Sequence, residues 1–219
     1  MNIEQGFDIL NIKAFIPKTE INKTLIMIKK ITVYCSSSNT LPPKYYEETK
    51  KIGQLLAKEN ITIIYGGGSS GLMGTLADSA LENEGKVIGV IPGFMKAVEW
   101  DHKGVSLMIE TEDMAERKRI LIEGTDAVIT LPGGVGTFEE LFEVLSAKRL
   151  GLFTKPIIIY NFQGFYNPMI EMLETCVEEN FMGKHHRDIW TEVTQLEDLM
   201  EAIGNAPAWS ESAIANAKT

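Results

Sequence analysis

Five short β-branched runs recur along this chain, and each is followed by room for a helix. They are ITVYC (31–35), ITIIY (61–65), KVIGVI (86–91), DAVITL (126–131) and KPIIIY (155–160), with a weaker strand candidate in VSLMIE (105–110). Amphipathic segments of helical length occupy about 43–59, 71–83, 112–123, 137–150 and 165–180. Strands that are apolar on both faces must be covered on both faces. Alternation with helices provides that cover, so the expected fold is α/β, a doubly wound parallel sheet flanked by helices in a single domain over 29–205. Residues 1–28 have scattered charge and no sustained period, which reads as an extension, with Met27 a candidate alternative start. Residues 206–219 read as a C-terminal tail.

The net charge of −9 leaves no basic face for phosphates, which argues against nucleic acid or an acidic membrane as partner. No apolar run approaches the ~18 residues of a membrane span, and the N-terminus is a poor secretory signal. The cytoplasm is the expected location. Cys35 and Cys176 are the two cysteines; they lack metal-ligand spacing and read as reduced packing residues. No metal is expected.

In a doubly wound sheet, ligands bind beyond the carboxyl ends of the strands. Three of those loops are rich in backbone donors: SSSN after the first run, GGGSSGLMG after the second and PGGVGT after the fourth. Ser37, Gly67, Gly68, Gly133, Gly134 and Gly136 are therefore candidate ligand contacts. The last two loops lead directly into helices, whose N-terminal amides hold phosphate without needing lysine. Neither loop fits G-x-x-x-x-G-K-[ST], and a clean G-x-G-x-x-G is absent, so Walker-type hydrolysis and ordinary dinucleotide chemistry are not indicated.

Segment 111–124 carries a D-x-x-E capping pattern at Asp113 and Glu116. At 100° per residue, Glu116, Arg119 and Glu123 form its solvent face, while Arg117 falls on the apolar flank and requires an anionic partner. On the helix expected to begin at Thr137, Glu139 and Glu143 point outward with Ser146, and Leu141, Val144 and Leu145 point inward. Glu140 sits at the seam beside the glycine-rich turn. A phosphate cradle, a recessed arginine and one carboxylate suit cleavage of the N-glycosidic bond of a nucleoside monophosphate. That reaction builds positive charge on ribose, which a carboxylate stabilises while it orients hydroxyls or activates water.

These residues resemble the LOG family of cytokinin-activating phosphoribohydrolases, often labelled lysine decarboxylase-like. P-G-G-x-G-T-x-x-E is matched from Pro132 through Glu140, YGGGSSGLMG stands at 65–74, and ERK stands at 116–118. The resemblance covers about 30–205, including NFQGFYNPM at 161–169. It implies a Rossmann-like enzyme that hydrolyses cytokinin riboside 5′-monophosphates, or AMP, to free base and ribose 5-phosphate. It implies Arg117 and Glu140 as the catalytic pair. Substrate contacts are implied at Glu99, Lys118, Gly134, Val135, Gly136, Thr137, Phe138, Glu139 and Ser146. A homodimer and no cofactor are also implied. The alternative is a non-catalytic carrier of a nucleotide or of molybdenum cofactor within the same superfamily.

The chain departs from many relatives at four positions: Ser36 replaces a glycine, Ala115 a histidine, and Ala147 and Arg149 break a T-W-A-Q-L-G pattern. These departures bear on base selectivity and the subunit contact. His102 reads as a loop residue whose isolation makes it weak evidence for a ligand contact, and His185 and His186 read as surface. Phe162, Phe165 and Tyr166 read as core packing.

Overall fold

Burial on both faces of the central strands sets the layers of this protein, as seen in a computed structural model that describes residues 28–97 and 100–216. The chain runs β1 (Lys30–Tyr34), α1 (Pro43–Lys58), β2 (Thr62–Tyr65), α2 (Gly71–Glu82), β3 (Val87–Pro92), α3 (Gly93–Lys96), β4 (Leu107–Thr111), α4 (Met114–Ile122) and β5 (Ala127–Thr130). It continues through α5 (Val135–Arg149), β6 (Ile157–Tyr160), α6 (Asn167–Glu178), β7 (Thr191–Val193) and α7 (Leu199–Asn205). The expected extension over residues 1–28 lies outside the described residues up to position 27.

Seven strands pair in parallel in the order β4-β3-β2-β1-β5-β6-β7. Odd-numbered side chains of β1 and β2, such as Ile31, Val33, Ile63 and Tyr65, pack with Leu56 of α1, Leu72 and Leu76 of α2 and Leu199 of α7. Tyr34 and Ile64 face the other way, onto Leu121 of α4, Leu141 and Leu145 of α5 and Leu173 of α6. The expected doubly wound sheet is thus the observed fold. Sequence order reverses between β1 and β5, so the loops after these two strands part and leave a crevice there.

The weak run 105–110 forms β4, an edge strand with Leu107 exposed. The seventh strand was not anticipated: TEV is three residues long, too short and too polar to stand out as a β-branched run. α5 starts at Val135 and not at Thr137, because Gly134 takes the extended N-cap position and the helix begins inside the glycine-rich turn. The expected surface position of His186 is also corrected. It is fully buried, with Nδ1 accepting from Gly183 N at 2.9 Å. A 3-10 turn at Lys184–Ile189 carries it inward, against the Trp209 ring. Trp209 donates to Lys148 O at 2.5 Å and stacks on His185 at 6.2 Å. Among the described residues no helix is long and apolar enough to cross a membrane.

Candidate active site

A cleft of about 550 Å³ opens at the carboxyl ends of β1, β2, β3 and β5. Its floor is formed by Arg117 and Glu140, on α4 and α5, whose side chains are each 6 % exposed. Arg117 Nη1 donates to Glu140 Oε1 at 2.5 Å, and Nε donates to Val90 O of β3 at 3.2 Å. The anionic partner that Arg117 required is therefore the other catalytic candidate. The capping pattern beneath it is present: Asp113 accepts from Glu116 N at 2.8 Å, and the Glu116 carboxylate reaches back to Glu112 N at 2.7 Å. This cap fixes the first turn of α4 and with it the direction of Arg117.

Burial pushes the Glu140 carboxyl above its ordinary range, and the Arg117 charge opposes that rise. Burial, then the Glu140 charge, pushes the neighbouring Cys35 thiol far up, which removes it as a nucleophile. Gly66 leaves space for the guanidinium: an added Cβ would lie 2.5 Å from Arg117 Nη2. Gly66 escaped the sequence reading, which took Gly67 and Gly68 from the same run.

The two glycine-rich turns play different parts. The N-terminus of α2 is already occupied by the chain itself. Leu72 N and Met73 N donate to Ser36 O at 2.9 and 3.2 Å, and Gly71 N donates to Asn39 Oδ1 at 2.8 Å. One cradle was expected from each loop; the α2 turn instead clamps the SSSN loop in place. No side chain caps α5, so its first amides, at Val135 to Thr137, have no intrahelical partner. These residues line the cleft. An added Cβ at Gly133 would lie 2.1 Å from Thr137 Oγ1, so packing demands that glycine. At Gly134 and Gly136 an added Cβ meets nothing within 4 Å. The fold does not require those two glycines, and glycine inside a helix costs up to about 1 kcal/mol relative to alanine.

Of the other candidates, Ser37, Gly68, Val135, Thr137 and Glu139 line the cleft. Gly67 lies behind it with φ +79°, and a Cβ there would press on Ile91 and Val90 of β3 and on Met108 of β4. Phe138 turns away to an edge contact with Tyr166, ring centroids 6.1 Å apart. Lys118 is bonded to the carboxylates of Glu139 and Glu143, which hold it at the rim and raise its pKa. Ser146 is exposed about three turns along α5 and is not brought to the cleft. Glu99 lies outside the described residues. His102 does not line the cleft; its Nδ1 accepts from Gly104 N at 3.1 Å, which leaves Nε2–H to donate to Asp78 at 2.9 Å. Met73, Met95, Met114 and Trp100 do line it, although no motif marked them. Among the described residues no group of three or more His, Cys, Asp or Glu side chains is placed to hold a metal ion.

The chain has relatives among known proteins. Residues 73–203 match the family model described as possible lysine decarboxylase. A cytokinin riboside 5′-monophosphate phosphoribohydrolase of Rhodococcoides fascians is 40% identical over 176 residues, covering 80% of this chain and 89% of the relative. One of the same name from Arabidopsis thaliana is 35% identical, covering 80% of this chain and 82% of the relative. Among solved structures, a molybdenum cofactor binding protein from Rippkaea orientalis superposes with a TM-score of 0.60 at 23% identity. It covers 80% of this chain and 95% of its own, and at that identity the likeness is one of fold. The family match spans more than half of the sequence, and the chain belongs to the LOG family, whose family model bears the lysine decarboxylase description.

Proposed function

We propose that this protein hydrolyses the N-glycosidic bond of cytokinin riboside 5′-monophosphates, or of AMP, releasing free base and ribose 5-phosphate. The observation that carries the reading is the buried Arg117–Glu140 pair at the floor of a cleft whose one wall is the uncapped N-terminus of α5. The α5 amides hold the 5′-phosphate, and the partial positive charge of the helix end favours the dianion. Glu140, one turn further along the same helix, faces the anomeric carbon. As the bond to the base lengthens, positive charge grows on the ribose, and the carboxylate stabilises it or takes a proton from the attacking water. Water adds at the anomeric carbon and the base leaves with the bonding pair and a proton. Arg117 keeps Glu140 ionised and oriented, and the raised pKa that burial imposes makes the carboxylate a better base than an exposed one.

The names of the curated relatives support the substrate. The test is incubation of purified protein with AMP and with isopentenyladenosine monophosphate, followed by chromatography for free base. Release of base supports hydrolysis; tight nucleotide binding without release turns the reading into that of a carrier.

The working form we propose is a homodimer in the cytoplasm. Val135 and Phe142 of α5 and Met172 of α6 are exposed apolar side chains that a second copy would cover, and both cysteines are free, as suits a reducing compartment. Light scattering of the purified protein tests the assembly; a monomer mass at micromolar concentration would reject it.

A further inference from the structure

The cleft is chemically two-sided, and the residues of its apolar side have no part in the proposed chemistry. Strand order sets the geometry. The α5 amides follow β5, whereas Met95 and Trp100 follow β3, and β1 and β2 lie between. Three strand spacings separate the two ends by about 14 Å. Arg117 bridges this interval, reaching from Val90 O of β3 to Glu140 of α5. A ligand that places phosphate on α5 and its sugar at Glu140 therefore directs its remaining part toward β3, against Met73, Met95, Met114 and Trp100.

Trp100 is unusual there. Its side chain is 59% exposed at the cleft, an arrangement that costs hydrophobic free energy in the empty protein. Yet its backbone is fixed. Trp100 O accepts from Ser69 N at 2.9 Å, Asp101 bridges to Gly68, and His102 N donates to Gly67 O at 2.9 Å. The His102 ring is tied in turn to Gly104 and Asp78. A large aromatic face is thus presented on a braced loop at the end of the cleft where a base would arrive. The other two tryptophans are committed elsewhere: Trp190 is buried and Trp209 bonds Lys148 O.

We propose that Trp100 is a specificity-determining residue, its indole stacking on the face of the purine while the methionines close around the ring edge. This rests on the phosphoribohydrolase reading of the same cleft. Stacking acts on the base alone, because the phosphate and ribose are held by α5 and Glu140. Trp100 therefore governs base recognition and not phosphate binding.

The experiment compares the full-length wild type with Trp100→Ala and Trp100→Phe. For AMP, Trp100→Ala is expected to raise KM about 10-fold or more with kcat changed less than about 3-fold, the range that a base–aromatic stack carries. Trp100→Phe is expected to restore most of the affinity. Ribose 5-phosphate, which has no base, should inhibit wild type and Trp100→Ala equally. Equal weakening toward AMP and ribose 5-phosphate would instead reveal a distorted loop and overturn the proposal, as would an unchanged KM for AMP. A fluorescence titration separates this result from failure of the enzymatic reading. AMP, but not ribose 5-phosphate, should quench tryptophan emission in the wild type, and the quench should vanish in Trp100→Phe. Quenching without turnover would retain the stack and reject the hydrolase; turnover with the quench intact in Trp100→Phe would do the reverse.

Discussion

Arg117 Nη1 and Glu140 Oε1 lie 2.5 Å apart on two different helices, and each side chain is 94% removed from solvent. A buried pair of this kind is a weak source of net stability, since desolvation offsets most of the attraction. Its place at the floor of the cleft fits chemistry better than scaffolding. Glu140→Gln keeps shape and removes charge, so kcat should fall by about 10³-fold with KM changed little. Arg117→Ala strands a buried carboxylate and should reduce both turnover and thermal stability, by about 3–5 kcal/mol. Steady-state kinetics with base release as the readout, alongside melting curves, separate the two effects. Full activity in Glu140→Gln would remove it from the mechanism.

Acidification should silence the protein before unfolding it. Burial raises the Glu140 pKa above its ordinary value, so kcat/KM should lose about tenfold per pH unit below a midpoint higher than that of an exposed glutamate. The linkage has the opposite sign from that of a salt-bridged surface carboxylate. With the folded pKa raised, the contribution of Glu140 to stability is complete below its unfolded pKa and is lost as pH rises through the folded one. Protonating Glu140 therefore does not itself destabilise the fold. Circular dichroism at the pH of half-maximal activity should still report native protein. An acid limb that coincides with the loss of native signal would refute this.

Three glycines separate packing from ligand contact. Gly133→Ala forces a Cβ to within 2.1 Å of Thr137 Oγ1 and should lower the melting temperature. Gly136→Ala meets open space and fills a better helix-forming residue into α5, so stability should hold or rise by a few tenths of a kcal/mol while KM for the monophosphate increases. Gly66→Ala pushes on Arg117 Nη2 and should mainly lower kcat. A Gly136→Ala variant with unchanged KM would show that no phosphate approaches that amide.

Most of the fold was legible because strands buried on both faces are written as unbroken β-branched runs. ITVYC and DAVITL are such runs, and they flank the crevice. β7 escaped because three residues at a sheet edge need no such run. Arg117 and Glu140 were legible from helical phase: each stood on or beside an apolar stripe, where a charge needs a reason. The same phase places Lys148 with Leu141, Val144 and Leu145 on the inner side of α5, where it is 1% exposed. His186 gave no periodic signal, since it lies in a 3-10 turn. The wall of Met73, Met95, Met114 and Trp100 could not be read from sequence, because it is assembled from four segments that only the sheet order brings together.

Lys148 offers a test of the end of α5 remote from the cleft. Its ammonium lies 6.0 Å from the Trp209 ring, and burial pulls its pKa down to about 8, with Asp188 opposing the fall. A lysine with a depressed folded pKa contributes its stability above the unfolded value, and that contribution is lost as pH falls through about 8. At pH 7 the wild type therefore carries the full desolvation cost of the charge. Lys148→Met keeps the length and apolar stem while removing the ammonium, and should raise the melting temperature at pH 7 by about 2–4 °C for each kcal/mol relieved. Between about pH 7.5 and 9.5 the gap between variant and wild type should narrow, as the wild-type lysine loses its proton in the folded state; taking the difference cancels the buried tyrosines, which titrate alike in both proteins. A variant that melts lower than wild type at pH 7 would mean that the ammonium is well solvated by its Trp209 and Asp188 surroundings, and that the segment around Trp209 depends on the charge and not merely on the hydrogen bond to Lys148 O.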